Sequence, residues 1–111
     1  MTMRDTGLRR SERRRSPRYQ YRAPLEIEWG SARLKGRTRD ISENGMFIES
    51  EDVLWVGAGF RARLSTESPL VLDCHVKRVE PGYGMGVSIA LSEDHHQQHY
   101  QNLLAKLAAN S

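Results

Sequence analysis

A single cysteine, Cys74, stands among the 111 residues of this chain. It has no partner for an intramolecular disulfide, so packing must hold the fold, in a reducing compartment or with indifference to redox. No apolar run reaches the length a membrane-crossing helix needs. The N-terminus, MTMRDTGLRR, carries charge but no apolar h-region behind it, so it does not read as a secretory signal and the cytoplasm is expected. Neither a catalytic triad nor a paired-carboxylate site can be assembled from motifs, and an enzyme is not expected. There is no internal repeat. What remains fits one small domain with one modest core.

The charge is unevenly placed. Residues 1–22 hold eight arginines against Asp5 and Glu12, leaving +6. Residues 23–111 hold nine Lys and Arg against twelve Asp and Glu, leaving −3 and a total of +3. The basic character therefore belongs to a leader, and the body is mildly acidic. A nucleic-acid-binding domain usually spreads positive charge over its folded face. This arrangement points instead to an anion bridged between leader and body. Residues 1–12 are expected to be a flexible basic arm and 13–109 the folded domain. Low hydrophobicity and high charge predict no fixed structure up to about Arg22 without a ligand.

Through the body the hydrophobic period is two. PLEIEWG (24–30) sets Leu25, Ile27 and Trp29 against Glu26 and Glu28, as in a half-buried strand. SARLKGRTRDI (31–41) sets Ala32, Leu34, Gly36 and Thr38 against Arg33, Lys35, Arg37 and Arg39, with Gly30-Ser31 as a hairpin turn before it. Further strands are GMFIES (45–50), FRARLS (60–65), PLVLDCHVKRVE (69–80) and GMGVSIAL (84–91). The alternation slips at Lys77-Arg78-Val79, which predicts a bulge or a strand end. Six short antiparallel strands define an all-β barrel or sandwich. The period then changes. Ser92 reads as an N-cap, and Tyr100, Leu103, Leu104, Leu107 and Ala108 form one apolar stripe on a C-terminal helix ending near Asn110. Its stripe should cover the barrel's mouth or flank.

Several motifs carry no chemistry. His95 and His99 lie one turn apart, as in some zinc sites, but no further ligands accompany them, so no metal is expected. Cys74 lies on an inward strand face and reads as core. GYGMG (82–86) has no helix after it and reads as a hairpin, not a phosphate loop.

Two stretches remain. SERRRSPRYQYR (11–22) places Arg14 and Arg18 at R-x-x-x-R spacing, with Pro17 restraining Ser16 toward extended geometry. DISENG (40–45) reads D-x-S-x-x-G through Asp40, Ser42 and Gly45. In this order, with glycine-rich GYGMGVSI later, the pair resembles the PilZ domain, a bacterial receptor for cyclic di-GMP. R-x-x-x-R alone is weak, since Arg9/Arg13, Arg10/Arg14 and Arg18/Arg22 share the spacing. The resemblance covers roughly residues 12–108. One departure is Ile89, where many members carry an aromatic.

The resemblance implies a six-stranded antiparallel barrel whose N-terminal arginine segment wraps across it when cyclic di-GMP binds. It also implies an adaptor that signals to a protein partner, with no cofactor. Guanidinium groups suit such a ligand, since they donate bidentately to guanine O6 and N7, stack on purine faces and clamp phosphate. Asp40 would accept from the N1–H and N2–H₂ edge of guanine, Ser42 would bond at short range, and Gly45 would supply a positive-φ turn and close backbone approach. In the family a long basic side chain just before the first motif arginine accompanies a two-ligand form, which assigns that role to Arg13. Secondary contacts would come from Arg9, Arg10, Arg15 and Gly86. The expected state is a monomer without a membrane segment. Two alternatives stay open: a small barrel that binds nucleic acid nonspecifically through its arm, with Tyr19 and Tyr21 stacking on bases, and a ligand-free interaction module.

Overall fold

The computed structural model describes residues 17–66, 69–90 and 94–110, the side chains of residues 94 and 95 excepted. Arg9, Arg10, Arg13, Arg14 and Arg15, the expected 1–12 arm and the expected Ser92 cap lie outside the described residues. Seven strands precede one helix: β1 Tyr19–Gln20, β2 Pro24–Trp29, β3 Ala32–Ile41, β4 Gly45–Glu49, β5 Gly59–Leu64, β6 Leu70–Glu80, β7 Gly84–Ala90 and α1 Asp94–Asn110.

Strands β2 to β7 close into a six-stranded antiparallel barrel in the order β3-β2-β5-β6-β7-β4, with β4 returning to β3. Closure leaves β3 bonded along both edges. Arg37 shows this, standing opposite Pro24 of β2 and Glu49 of β4 at once. The wall follows the period-two pattern. Leu25 and Ile27 of β2, Ala62 and Leu64 of β5, and Leu72 and Cys74 of β6 are buried in one core. Fully burying a Leu or Ile side chain contributes about 1.5–3 kcal/mol, so this interior outweighs any single polar contact on the surface. The β2–β3 turn is the expected one, with Gly30 at φ 61°, a conformation in which a Cβ is disfavoured. The slip at Lys77 is a register shift between Val76 and Arg78.

One expectation is corrected. Residues 17–22 are not a loose arm: Tyr19 and Gln20 pair with Ile41 and Asp40, continuing the line of β2 along the same edge of β3. The cause is local. Tyr19 and Tyr21 pack against the core. The Tyr21 amide donates to the Arg39 carbonyl at 3.1 Å, and the Ala23 amide to Thr38 Oγ1 at 2.9 Å. The Thr38 hydroxyl in turn donates to the Tyr21 carbonyl. Thr38 is fully buried, and this exchange satisfies it where the chain bends into β2.

The helix stripe packs as expected in part. Tyr100 and Leu104 are buried in the core, Leu103 and Leu107 are half-buried, but Ala108 is exposed. The helix lies against β6 and β1. At the β2–β3 hairpin end, Trp29 meets Trp55 edge to face with ring centroids 5.1 Å apart, while Leu54 beside it is buried. No described helix is long and apolar enough to cross a membrane.

Cys74 is inside the barrel, and burial, helped by Asp73, pushes its thiol up to about 12. The thiolate is the reactive form. Alkylation at pH 8 is therefore expected to be at least about a hundredfold slower in the native protein than in urea-unfolded protein. Equal rates, read by mass spectrometry, would contradict this packing.

Candidate ligand-binding site

The outer wall of β3, β4, β7 and β6 carries one cross-strand row. Asp40 stands opposite Phe47, Phe47 opposite Gly86, and Gly86 opposite Arg78. Gln20 of β1 extends the row beyond Asp40. Strict alternation would have sent Asp40 to the same side as Thr38. A register shift between Thr38 and Asp40 inserts one extra residue. Thr38 and Ile41 are buried, and Arg39 and Asp40 together face outward.

Asp40 is the centre of charge. Its Oδ1 accepts from Arg18 through Nε and Nη2, each at 2.7 Å. Its Oδ2 accepts from Arg39 Nε at 3.1 Å. Two guanidinium groups thus share one carboxylate, leaving local positive charge. Arg22–Glu49 at 3.2 Å and Arg78–Glu80 at 3.2 Å flank it as neutral pairs. Phe47 alternates with the core residues Met46 and Ile48, so its ring points away from the interior, yet it is fully covered. Arg39 Cζ sits 3.8 Å from its ring centroid and Arg78 Cζ 5.8 Å. Cationic planes over an aromatic face are attracted by its quadrupole.

The sequence-predicted residues fall into three groups. Arg18 and Asp40, each from one motif, are brought together across 22 residues of sequence. Ser42 is buried and turned into its own loop: its amide donates to the Gly45 carbonyl at 2.8 Å and its hydroxyl to the same oxygen at 3.2 Å. Gly45 is corrected. Its φ is not positive, and a Cβ there would stand 2.3 Å from the Val87 carbonyl oxygen. It is small because β4 and β7 come together there. Gly86 likewise makes room for a neighbour: a Cβ would meet the Arg78 side chain at 3.3 Å.

Sequence reasoning missed Arg39, Phe47, Arg78 and the polar role of Tyr100. The buried Tyr100 phenol donates to the Ser42 carbonyl at 2.5 Å, tying α1 to the D-x-S-x-x-G turn. Burial pushes this phenol well up, Cys74 adds to the rise and Arg18 opposes it, so it stays a neutral donor. The only advance signal for Arg39 was its place directly before the motif aspartate.

A family model for the PilZ domain matches residues 12–106, and this chain belongs to the PilZ domain family. Solved PilZ structures share its fold. The PilZ domain of CeSA from a cellulose-synthesizing bacterium superposes with TM-score 0.68 at 20% identity, over 84% of this chain and 99% of that one. The PilZ domain of Escherichia coli YcgR, solved with c-di-GMP, gives 0.73 at 15%, over 88% and 93%. The c-di-GMP complex of MrkH from K. pneumonia gives 0.71 at 16%, over 86% of this chain but 52% of that one. At these identities the likeness concerns the fold. No curated protein sequence matches at a significant level.

Two substitutions test the turn. Tyr100→Phe removes the donor to Ser42 and should lower stability by about 1 kcal/mol. Gly45→Ala forces a methyl onto the Val87 carbonyl and should cost about 3 kcal/mol. A urea midpoint equal to the wild type for either would contradict its placement.

Proposed function

We propose that this protein is a cyclic di-GMP receptor that binds the ligand on the outer wall around Asp40, between the R-x-x-x-R segment and the D-x-S-x-x-G turn. The single observation that carries the reading is the contact of Arg18 with Asp40. It puts the described end of one motif on the first residue of the other, on an outer wall with surplus positive charge. The structures of the YcgR PilZ domain with c-di-GMP and of the MrkH–c-di-GMP complex support the same ligand class.

In the free protein Asp40 is held by arginines. A guanine presenting N1–H and N2–H₂ offers the carboxylate an alternative partner and releases the Arg18 fork toward guanine O6 and N7 or a phosphate. Arg14 supplies the second cation, and residues 13–16 are drawn onto the wall beside Arg18. Ser42 and Gly45 serve by shape: they fix the turn that presents Asp40. The signal leaves through a protein partner that reads the rearranged wall. The protein acts without catalysis or cofactor, as a monomer in the cytoplasm, with residues 13–109 as the binding unit and 1–12 as its arm.

Calorimetry with cyclic di-GMP tests this. Losing one well-formed bidentate contact costs about 1–3 kcal/mol, roughly 5- to 150-fold in affinity. Arg14→Ala, Arg18→Ala and Asp40→Ala should each weaken binding by that order with the barrel folded. Unchanged affinity in all three would sink the site. Affinity should fall only modestly between 50 and 200 mM salt, whereas a nucleic-acid binder would lose it steeply.

Stoichiometry is a separate expectation. A self-stacked pair of cyclic di-GMP molecules carries about four negative charges and needs more cation than Arg14 and Arg18 alone. Arg13 is assigned as the extra clamp. The wild type should bind two ligands per chain and Arg13→Ala one, at modest cost in affinity. A ratio of one for the wild type would overturn this.

A further inference from the structure

Arg39 belongs to neither motif, yet its side chain is the least exposed among the ion-paired arginines described. The β3 bulge turns it outward together with Asp40. Its Nε is held by Asp40 Oδ2 at 3.1 Å, and its Cζ lies 3.8 Å from the Phe47 ring centroid. One face of the guanidinium is therefore committed to an aromatic ring and one edge to a carboxylate. With 35% of the side chain still exposed, the group remains accessible from solvent. Such a group loses little conformational freedom on meeting a ligand, because its rotamers are already fixed. A flat, delocalised, weakly hydrated cation is a good surface for a purine to stack on.

We propose that Arg39 is a ligand-binding residue: its guanidinium, laid on Phe47, forms a preformed shelf that takes one guanine of cyclic di-GMP by stacking, beside the Asp40 carboxylate that reads its edge. This rests on the receptor reading above and adds a contact outside both motifs. Phe47 is the positioning residue beneath it. A ring one layer down keeps the cation flat where an aliphatic residue would let it swing away.

The test is calorimetry with cyclic di-GMP on the full chain. Arg39→Ala should weaken binding about tenfold. Arg39→Lys keeps the charge beside Asp40 and Phe47, and so the fold, but loses the plane, and should weaken binding about as much. Direct contact is separated from mere orientation of Asp40 by a double-mutant cycle. In an Asp40→Asn background, Arg39→Ala should still cost several-fold if Arg39 touches the ligand. Wild-type affinity in Arg39→Lys, or no further loss in the Asp40→Asn background, would overturn the shelf while leaving the receptor reading intact. Failure of the wild type to bind would overturn both.

Discussion

The extra residue between Thr38 and Asp40 decides which side chains meet on the outer wall. Along β3 the pleat sends alternate residues inward, and that rule holds from Ala32 to Thr38. Carried two residues further, it would bury Asp40 and expose Ile41. The bulge resets the phase: Ile41 enters the core and the aspartate stays out. Its carboxylate then gathers Arg18 from the N-terminal segment and Arg39 from its own strand. The aromatic floor, the cations over it and the anchoring of 17–22 all depend on this shift.

The electrostatics of that cluster suit exchange more than stability. Arg18 is about half exposed, and an ion pair in such a setting contributes roughly 0–1 kcal/mol. Replacing Arg18 at Asp40 by another donor therefore costs the fold little. The buried contacts carry the opposite burden. Tyr100 to Ser42, and Ser42 to Gly45, satisfy groups with no access to water, so their loss is felt as stability. The wall thus separates replaceable bonds outside from fixed ones inside.

Most of the barrel was legible in the sequence because its information is local. Period-two runs marked six strands, Gly30-Ser31 marked the hairpin, and the slip at Lys77 marked the β6 bulge. The β3 bulge was not read, although unbroken alternation through RTRDI would have turned Asp40 inward and Ile41 outward. Strand β1 was hidden by composition: its tyrosines sit among arginines that read as solvated. Arg39, Phe47 and Arg78 required the register of four strands from distant parts of the chain. Gly45 and Gly86 stood out in the sequence, but the neighbours that require a glycine there did not. Their missing side chains accommodate the Val87 carbonyl and the Arg78 side chain, which only the assembled sheet reveals.

The edge-to-face pair of Trp29 and Trp55 has an optical consequence. Trp29 stands opposite Ala32, at the start of β3. Asp40 lies eight positions further along that strand, about 25 Å away at roughly 3.3 Å per residue. Both indoles therefore report from the far end of the barrel, while Tyr19 and Tyr100 sit beside the D-x-S-x-x-G turn. Indole emission therefore tracks the melting of the frame from a place remote from the Asp40 wall. The frame thus carries its own unlabelled probe of unfolding, set apart from the charged cluster on the other end of β3.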